Sequence, residues 1–150
     1  MTQDKQPEDN ACKNSSNIFN FLKKSYNESM ALLIFSRDYF EQNGKTDKIL
    51  LSKDDSIAYT LAMSTITTQL TSVTGWLLMC RAVQEGEVAI DDLADEDFRM
   101  PEFNLNVDAS DSCFANLNKT VKDLLRRSCS LYNRIKRMEN SISSKLAQNT

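Results

Sequence analysis

Four cysteines, one dense acidic run and one cluster of hydroxyls are the residues of this chain whose types could do chemistry. Cys12, Cys80, Cys113 and Cys129 lie far apart, and no Cys-x-x-Cys pair occurs. Zinc and dithiol redox sites normally carry such a pair, so these residues read as reduced thiols used as small apolar side chains. Histidine is absent. That removes the Ser-His-Asp triad, the Cys-His nucleophile, His-ligated zinc and an imidazole pH switch. The run Asp91–Asp97 (DDLADED) lacks the alternating ligands, the glycine at position six and the glutamate at position twelve of a calcium loop. It reads as a solvated acidic loop able to steer a basic partner. The expectation is no catalysis, no metal and no cofactor.

The hydroxyls crowd into Ser64–Gly75, STITTQLTSVTG, just before the single tryptophan, Trp76. Such a segment has poor helix propensity. Its apolar residues nevertheless fall at Met63, Ile66, Leu70, Val73, Leu77 and Cys80, a three-four seam that alternation in a strand would not produce. The segment is therefore the middle of a helix. Each hydroxyl can bond back to the carbonyl four residues earlier, so Ser and Thr can be packed without an unpaired donor. Short side chains and Gly75 let another helix approach closely. Because the hydroxyls circle the helix, some face beyond their own bundle, which points to a homo-oligomer. The helix-packing or dimer candidates are Thr67, Thr68, Leu70, Val73, Gly75, Trp76 and Leu77.

The elements that must position these residues follow from the rest of the pattern. With 150 residues, three Gly and two Pro, the chain suits one domain built from a few long helices. Residues 1–16 are polar and read as a disordered tail with no signal-peptide character. The first helix is expected over 18–42. Asn17 caps it, and its stripe runs through Phe19, Leu22, Tyr26, Leu33 and Phe40, with Ser29 and Ser36 at the missing steps. Asn43-Gly44 is its expected stop. The second is expected over 53–85, opened by the Ser52-Lys53-Asp54-Asp55 cap and closed before Gly86. Residues 86–111 form an acidic connector with room for a short extra helix. The third helix, over 112–144, carries the cleanest seam, from Phe114 and Leu117 through Leu131 to Ile142. Its surface is basic: Lys119, Lys122, Arg126, Arg127, Arg134, Lys136 and Arg137. Residues 146–150 are a short polar tail.

These elements make an all-α, antiparallel, up-down-up three-helix bundle, a single domain over 17–145. The longest apolar runs, Met30–Phe35 and Trp76–Cys80, are too short to cross a membrane. The net charge of −3 argues against a dedicated nucleic-acid binder. The basic face of the third helix keeps a DNA-associated role open as an alternative, beside a purely structural helical dimer.

Three stretches carry a family resemblance. They are YNESMALLIFSRDYF (Tyr26–Phe40), TTQLTSVTGWLLMCRAVQEGE (Thr67–Glu87) and SCSLYNRIKRME (Ser128–Glu139). Together they resemble the alphaproteobacterial regulators of CtrA degradation, the RcdA-type adaptors. The resemblance implies a homodimeric helical bundle in the cytoplasm with no enzymatic activity. It implies an adaptor for the ClpXP protease that works with a response-regulator-like priming adaptor. The cargo would be cell-cycle substrates such as CtrA. Candidate partner-binding residues are Arg81, Glu85 and Glu87 at the end of the second helix, and Arg37, Asp38 and Tyr39 on the first. In an antiparallel pair the two groups fall at opposite ends.

Overall fold

The computed structural model describes residues 8–102 and 110–149, and the side chains of all of these except 8–15. Three long helices account for most of it: α1 (Glu8–Ile49), α2 (Lys53–Gln84) and α3 (Lys119–Gln148). Short 3-10 turns at Ile90–Ala94, Glu96–Phe98 and Ser112–Phe114 punctuate the connector. No strand occurs among the described residues. The architecture is an all-α three-helix bundle.

α1 is longer than its sequence pattern suggests, at 42 residues. It starts at Glu8, so residues 8–16, read as tail, are helical; residues 1–7 lie outside the described residues. No Gly or Pro lies between Glu8 and Gly44, so nothing in the sequence interrupts the helix there. At the other end the expected stop at Asn43-Gly44 does not occur. Gly86, not Gly44, is the glycine with a left-handed backbone, at φ 77°. A helical Gly costs only about 1 kcal/mol relative to Ala. The last turn repays that through Asp47, whose Oδ2 accepts hydrogen bonds from Tyr39 and Tyr59, each at 2.8 Å.

The ends of α2 match the sequence closely. Ser52 accepts a hydrogen bond from the Asp55 amide at 3.2 Å. At the far end the Glu87 amide bonds to the Ala82 carbonyl and the Gly86 amide to that of Val83. This paired closure around a left-handed glycine is the Schellman arrangement. Between them the hydroxyls tie back as expected. Thr67, Thr68, Ser72 and Thr74 donate to the carbonyls of Met63, Ser64, Thr68 and Leu70 at 2.8–2.9 Å. Helix α3 begins at Lys119 instead of 112 and runs to Gln148 instead of 144. Its cap is Asn118, which accepts from the Val121 amide at 2.9 Å. Phe114 and Leu117 belong to the seam but precede the helix, being buried from the 3-10 turn and the link after it.

The course of the third helix corrects the up-down-up expectation. Asn116 meets Asp55, Ser128 meets Gln69 and Cys129 meets the same glutamine. Residue numbers rise together along both helices, so α2 and α3 run parallel. α1 is antiparallel to both: Asn118 reaches Asp47 near its end, and Arg134 reaches Glu28 nearer its start. The topology is up-down-down. The length of the connector allows it: the span of α2, about 48 Å at helical rise, needs only about 15 residues of extended chain, and the connector from 85 to 118 is much longer than that.

The core is continuous. Tyr59, Ala62, Ile66, Leu70 and Val73 of α2 are fully enclosed, as are Val121, Leu125 and Ile135 of α3. Each large apolar side chain buried this way contributes about 1.5–3 kcal/mol. α1 offers Leu32 with three buried serines, Ser25, Ser29 and Ser36. Small residues on this line bring α1 close to α2, where the Thr74 hydroxyl oxygen lies 3.1 Å from Ser29 Oγ. Trp76 is a core residue at 2% exposure.

Candidate protein-binding surfaces

Three polar clusters and two open surfaces decide what this bundle can do chemically. The first cluster joins all three helices. Asp47 Oδ2 accepts from Tyr39, from Tyr59 and, at 3.0 Å, from Asn118 Nδ2. Burial and the neighbouring Asp47 carboxylate push both tyrosine hydroxyls upward in pKa, so they remain proton donors. Tyr39, a sequence candidate for partner binding, is thus engaged in the framework.

The second cluster was hidden in the sequence. Glu139 is 1% exposed on α3. Its Oε1 accepts the Met100 amide at 2.5 Å, and its Oε2 takes the Lys136 ammonium at 2.7 Å. Lys136 also donates to the Met100 carbonyl at 2.7 Å, and Tyr132 donates to the Pro101 carbonyl at 2.5 Å. Arg99 donates to Asn140 at 2.9 Å. Side chains of α3 therefore clamp the extended backbone of Met100–Pro101, and with Leu93 and Met100 buried the connector becomes a strap. Glu139 stands seven residues after Tyr132, which placed it on the flank of the seam; its acidic character disguised it as surface.

The third cluster, Gln69 with Ser128 and Cys129, is a small buried link between α2 and α3. None of the three resembles a reaction centre. Burial, reinforced by the Glu139 charge, pushes the Cys80 thiol up to about 12, the opposite of an activated nucleophile. Among the described residues no group of three or more His, Cys, Asp or Glu is placed to hold a metal ion. No helix among them is long and apolar enough to cross a membrane.

The first open surface is the outward side of α2. From Ser56 to Cys80 the helix holds no charged residue. Ile57, Leu61 and Leu78 are exposed there at 61%, 37% and 45%. Ser64, Thr67, Thr68, Thr71 and Gly75 lie exposed between them. Because Thr67 and Thr68 already bond their own backbone, the surface they present is largely methyl. A Cβ added at Gly75 would meet nothing within 4 Å. Of the seven packing candidates, Thr67, Thr68 and Gly75 lie on this face, whereas Leu70, Val73, Trp76 and Leu77 pack inside the bundle.

The second open surface is a cleft of about 470 Å³ where α1 passes the end of α2. Phe19, Leu22, Tyr26 and Leu77 line it, and Lys23, Arg81, Gln84 and Glu85 stand at its edges. Arg81 pairs with Glu85 at 2.9 Å, and Arg37 pairs with Asp38 at 2.8 Å. Both are exposed pairs of small energetic weight. Arg37 lies fourteen residues along α1 from Lys23, about 21 Å at helical rise, so the two candidate groups do not form one site. Glu87 is exposed just beyond Gly86.

Comparison with known proteins finds a matching family and a shared fold. A family model described as "Protein of unknown function (DUF1465)" matches residues 14–150. The crystal structure of RcdA from Caulobacter crescentus CB15 superposes with a TM-score of 0.64 at 24% identity. The match covers 81% of this chain and 91% of that one. At that identity the likeness shows the fold. No curated protein matches.

Proposed function

Since the chain belongs to the DUF1465 family, the RcdA-type family, we propose that it is a non-enzymatic, protein-binding adaptor in regulated proteolysis. Its role is to help deliver cell-cycle substrates such as CtrA to the ClpXP protease in the cytoplasm, together with a response-regulator-like priming adaptor. The mechanism is tethering: holding cargo beside the protease raises its effective concentration without changing the chemistry.

The observation that carries this reading is the uncharged outer face of α2. Monomeric proteins rarely leave a long apolar or methyl-covered stripe in water. Two copies of this face can meet with no like-charge contact, and the Thr67 and Thr68 hydroxyls keep their backbone partners, which supports a homodimer joined through α2. The cleft at the end of α2, the exposed connector and the α1 surface around Arg37 and Asp38 then remain free for protease and cargo.

Reconstituted degradation tests the proposal. ClpXP, the priming adaptor and CtrA are combined with and without this protein. The expected result is faster loss of CtrA only when the protein is present. An unchanged rate, with no ternary complex on a sizing column, overturns it. The DNA-associated alternative makes the opposite forecast, binding that falls steeply with salt through the α3 basic residues.

A further inference from the structure

Two antiparallel helices have two grooves between them, and in this bundle α3 covers one of the grooves of α1 and α2. The other is open, and near the end of α2 it deepens into the cleft described above. Its walls repeat at helical spacing. Phe19, Leu22 and Tyr26 stand at i, i+3 and i+7 on α1, facing Leu77 and Arg81 at i and i+4 on α2. Ridges of this spacing receive the ridge of another helix. The charges at the edge are unequal. Arg81 is neutralised by Glu85 within its own helix. Lys23 is exposed and has no bonded partner among the described residues, which leaves the rim with a net positive charge beside an apolar floor.

We infer that this cleft docks an acidic amphipathic helix of a partner protein, with apolar side chains on the Phe19–Leu22–Tyr26–Leu77 floor and a carboxylate against Lys23. The inference rests on the protein-binding reading and specifies one of its docking surfaces. It differs from the α2 outer face in chemistry, since that face has no charge to match. A volume of about 470 Å³ admits the apolar side chains of one or two helical turns. The contact is electrostatically selective: a basic helix of the same apolar pattern meets Lys23 as a like charge.

The test uses the full chain and two synthetic fluorescein-labelled helical peptides. Both carry Leu at i, i+3 and i+7; one has Glu and the other Lys at the flanking positions. Anisotropy titration should show the Glu peptide binding at least about tenfold more tightly than the Lys peptide. Lys23→Glu, at an exposed position outside the core, should invert that preference while leaving helicity and oligomeric state unchanged. Equal binding of the two peptides, binding of neither, or a preference indifferent to Lys23→Glu overturns the inference. A change of oligomeric state in Lys23→Glu also overturns it, by assigning the cleft to a second copy. The degradation assay is read separately, so an active adaptor with an empty cleft and an inactive one are told apart.

Discussion

The clamp on Met100 makes a sharp quantitative forecast, because Glu139→Gln changes one atom and leaves the shape intact. In the native arrangement one carboxylate oxygen accepts the Met100 amide and the other the Lys136 ammonium. A glutamine has a single acceptor oxygen. Whichever way its amide turns, an N–H group faces another donor, either Met100 or Lys136. Lys136, whose side chain is 13% exposed, is also left without its counter-charge. Removing one member of a buried pair typically costs 3–5 kcal/mol. The partial solvent access of Lys136 places the expectation near the lower bound, about 3 kcal/mol. For a chain of this size that is a Tm decrease of roughly 6–12 °C.

Urea denaturation followed by far-UV circular dichroism reads this directly, at one fixed protein concentration so that any self-association is held constant. The double variant Lys136→Met with Glu139→Leu supplies the control. It still strands the Met100 amide and carbonyl, at about 1–3 kcal/mol for each, so it is not expected to be neutral. It removes both charges together, however, and should lose at least about 1 kcal/mol less than the two single variants summed. A Glu139→Gln loss under about 1 kcal/mol, or strict additivity, would refute the reasoning. The carboxylate would then be solvated, and the connector would not be fastened to α3.

Three other forecasts follow from the same geometry. Asp47→Ala removes the acceptor of two tyrosine hydroxyls, that of Tyr59 in the core, and should cost about 1–3 kcal/mol in the same denaturation assay, whereas Tyr39→Phe, which removes one donor, should cost about 1 kcal/mol. For the proposed α2 homodimer, Thr68→Arg should convert dimers to monomers by light scattering with helicity unchanged; for a free α2 face Gly75→Ala should instead stabilise the fold by about 1 kcal/mol, and loss of that gain in the dimer would show close approach at this position. An aromatic disulfide reagent at pH 8 should label the exposed Cys113 quickly and Cys80 only on unfolding. The Cys80 shift also fixes a sign: its raised pKa favours the folded state fully below the ordinary thiol value of 9.0, and that contribution is lost as pH rises from there through about 12. A stability that rose over this range would contradict the burial of Cys80.

What could be read in the sequence was what periodicity encodes. The seam Ile66–Leu70–Val73–Leu77–Cys80 was visible through seven hydroxyls because apolar spacing outweighs helix propensity once a neighbour is present to pack against, and all five residues are buried. Gly86 was legible as a stop because its surroundings complete a Schellman closure, whereas Gly44 carries no such closure and its helix simply continues to Ile49. Contacts distant in sequence were not encoded this way. Asp47 holds α1 in register with residues 59 and 118, and nothing local to Asp47 announces either. The seam of α3 likewise says which side is buried but not which way the helix points, so the parallel pairing with α2 had to come from contacts.

The α3 direction has a functional consequence. In an up-down-up bundle the connector would be a short crossing at one end, and its acids would sit at the tip. In the up-down-down arrangement it must return along the body of the bundle, and the Lys136–Glu139 clamp holds part of that path in place. The acidic residues Asp91, Asp92, Glu96 and Asp97 are therefore displayed on a fixed strap over α3, close to the end of α2. The same end holds the open cleft with its exposed Lys23. One end of the molecule thus carries an acidic surface and a basic-rimmed cleft built on different elements, while the α2 outer face carries no charge at all. The proposed adaptor must hold at least two partners at once without letting them compete. Separating the surfaces by charge, on different elements, is a physical route to that separation. Fastening the strap also explains why a buried carboxylate, costly in isolation, is worth keeping in the core.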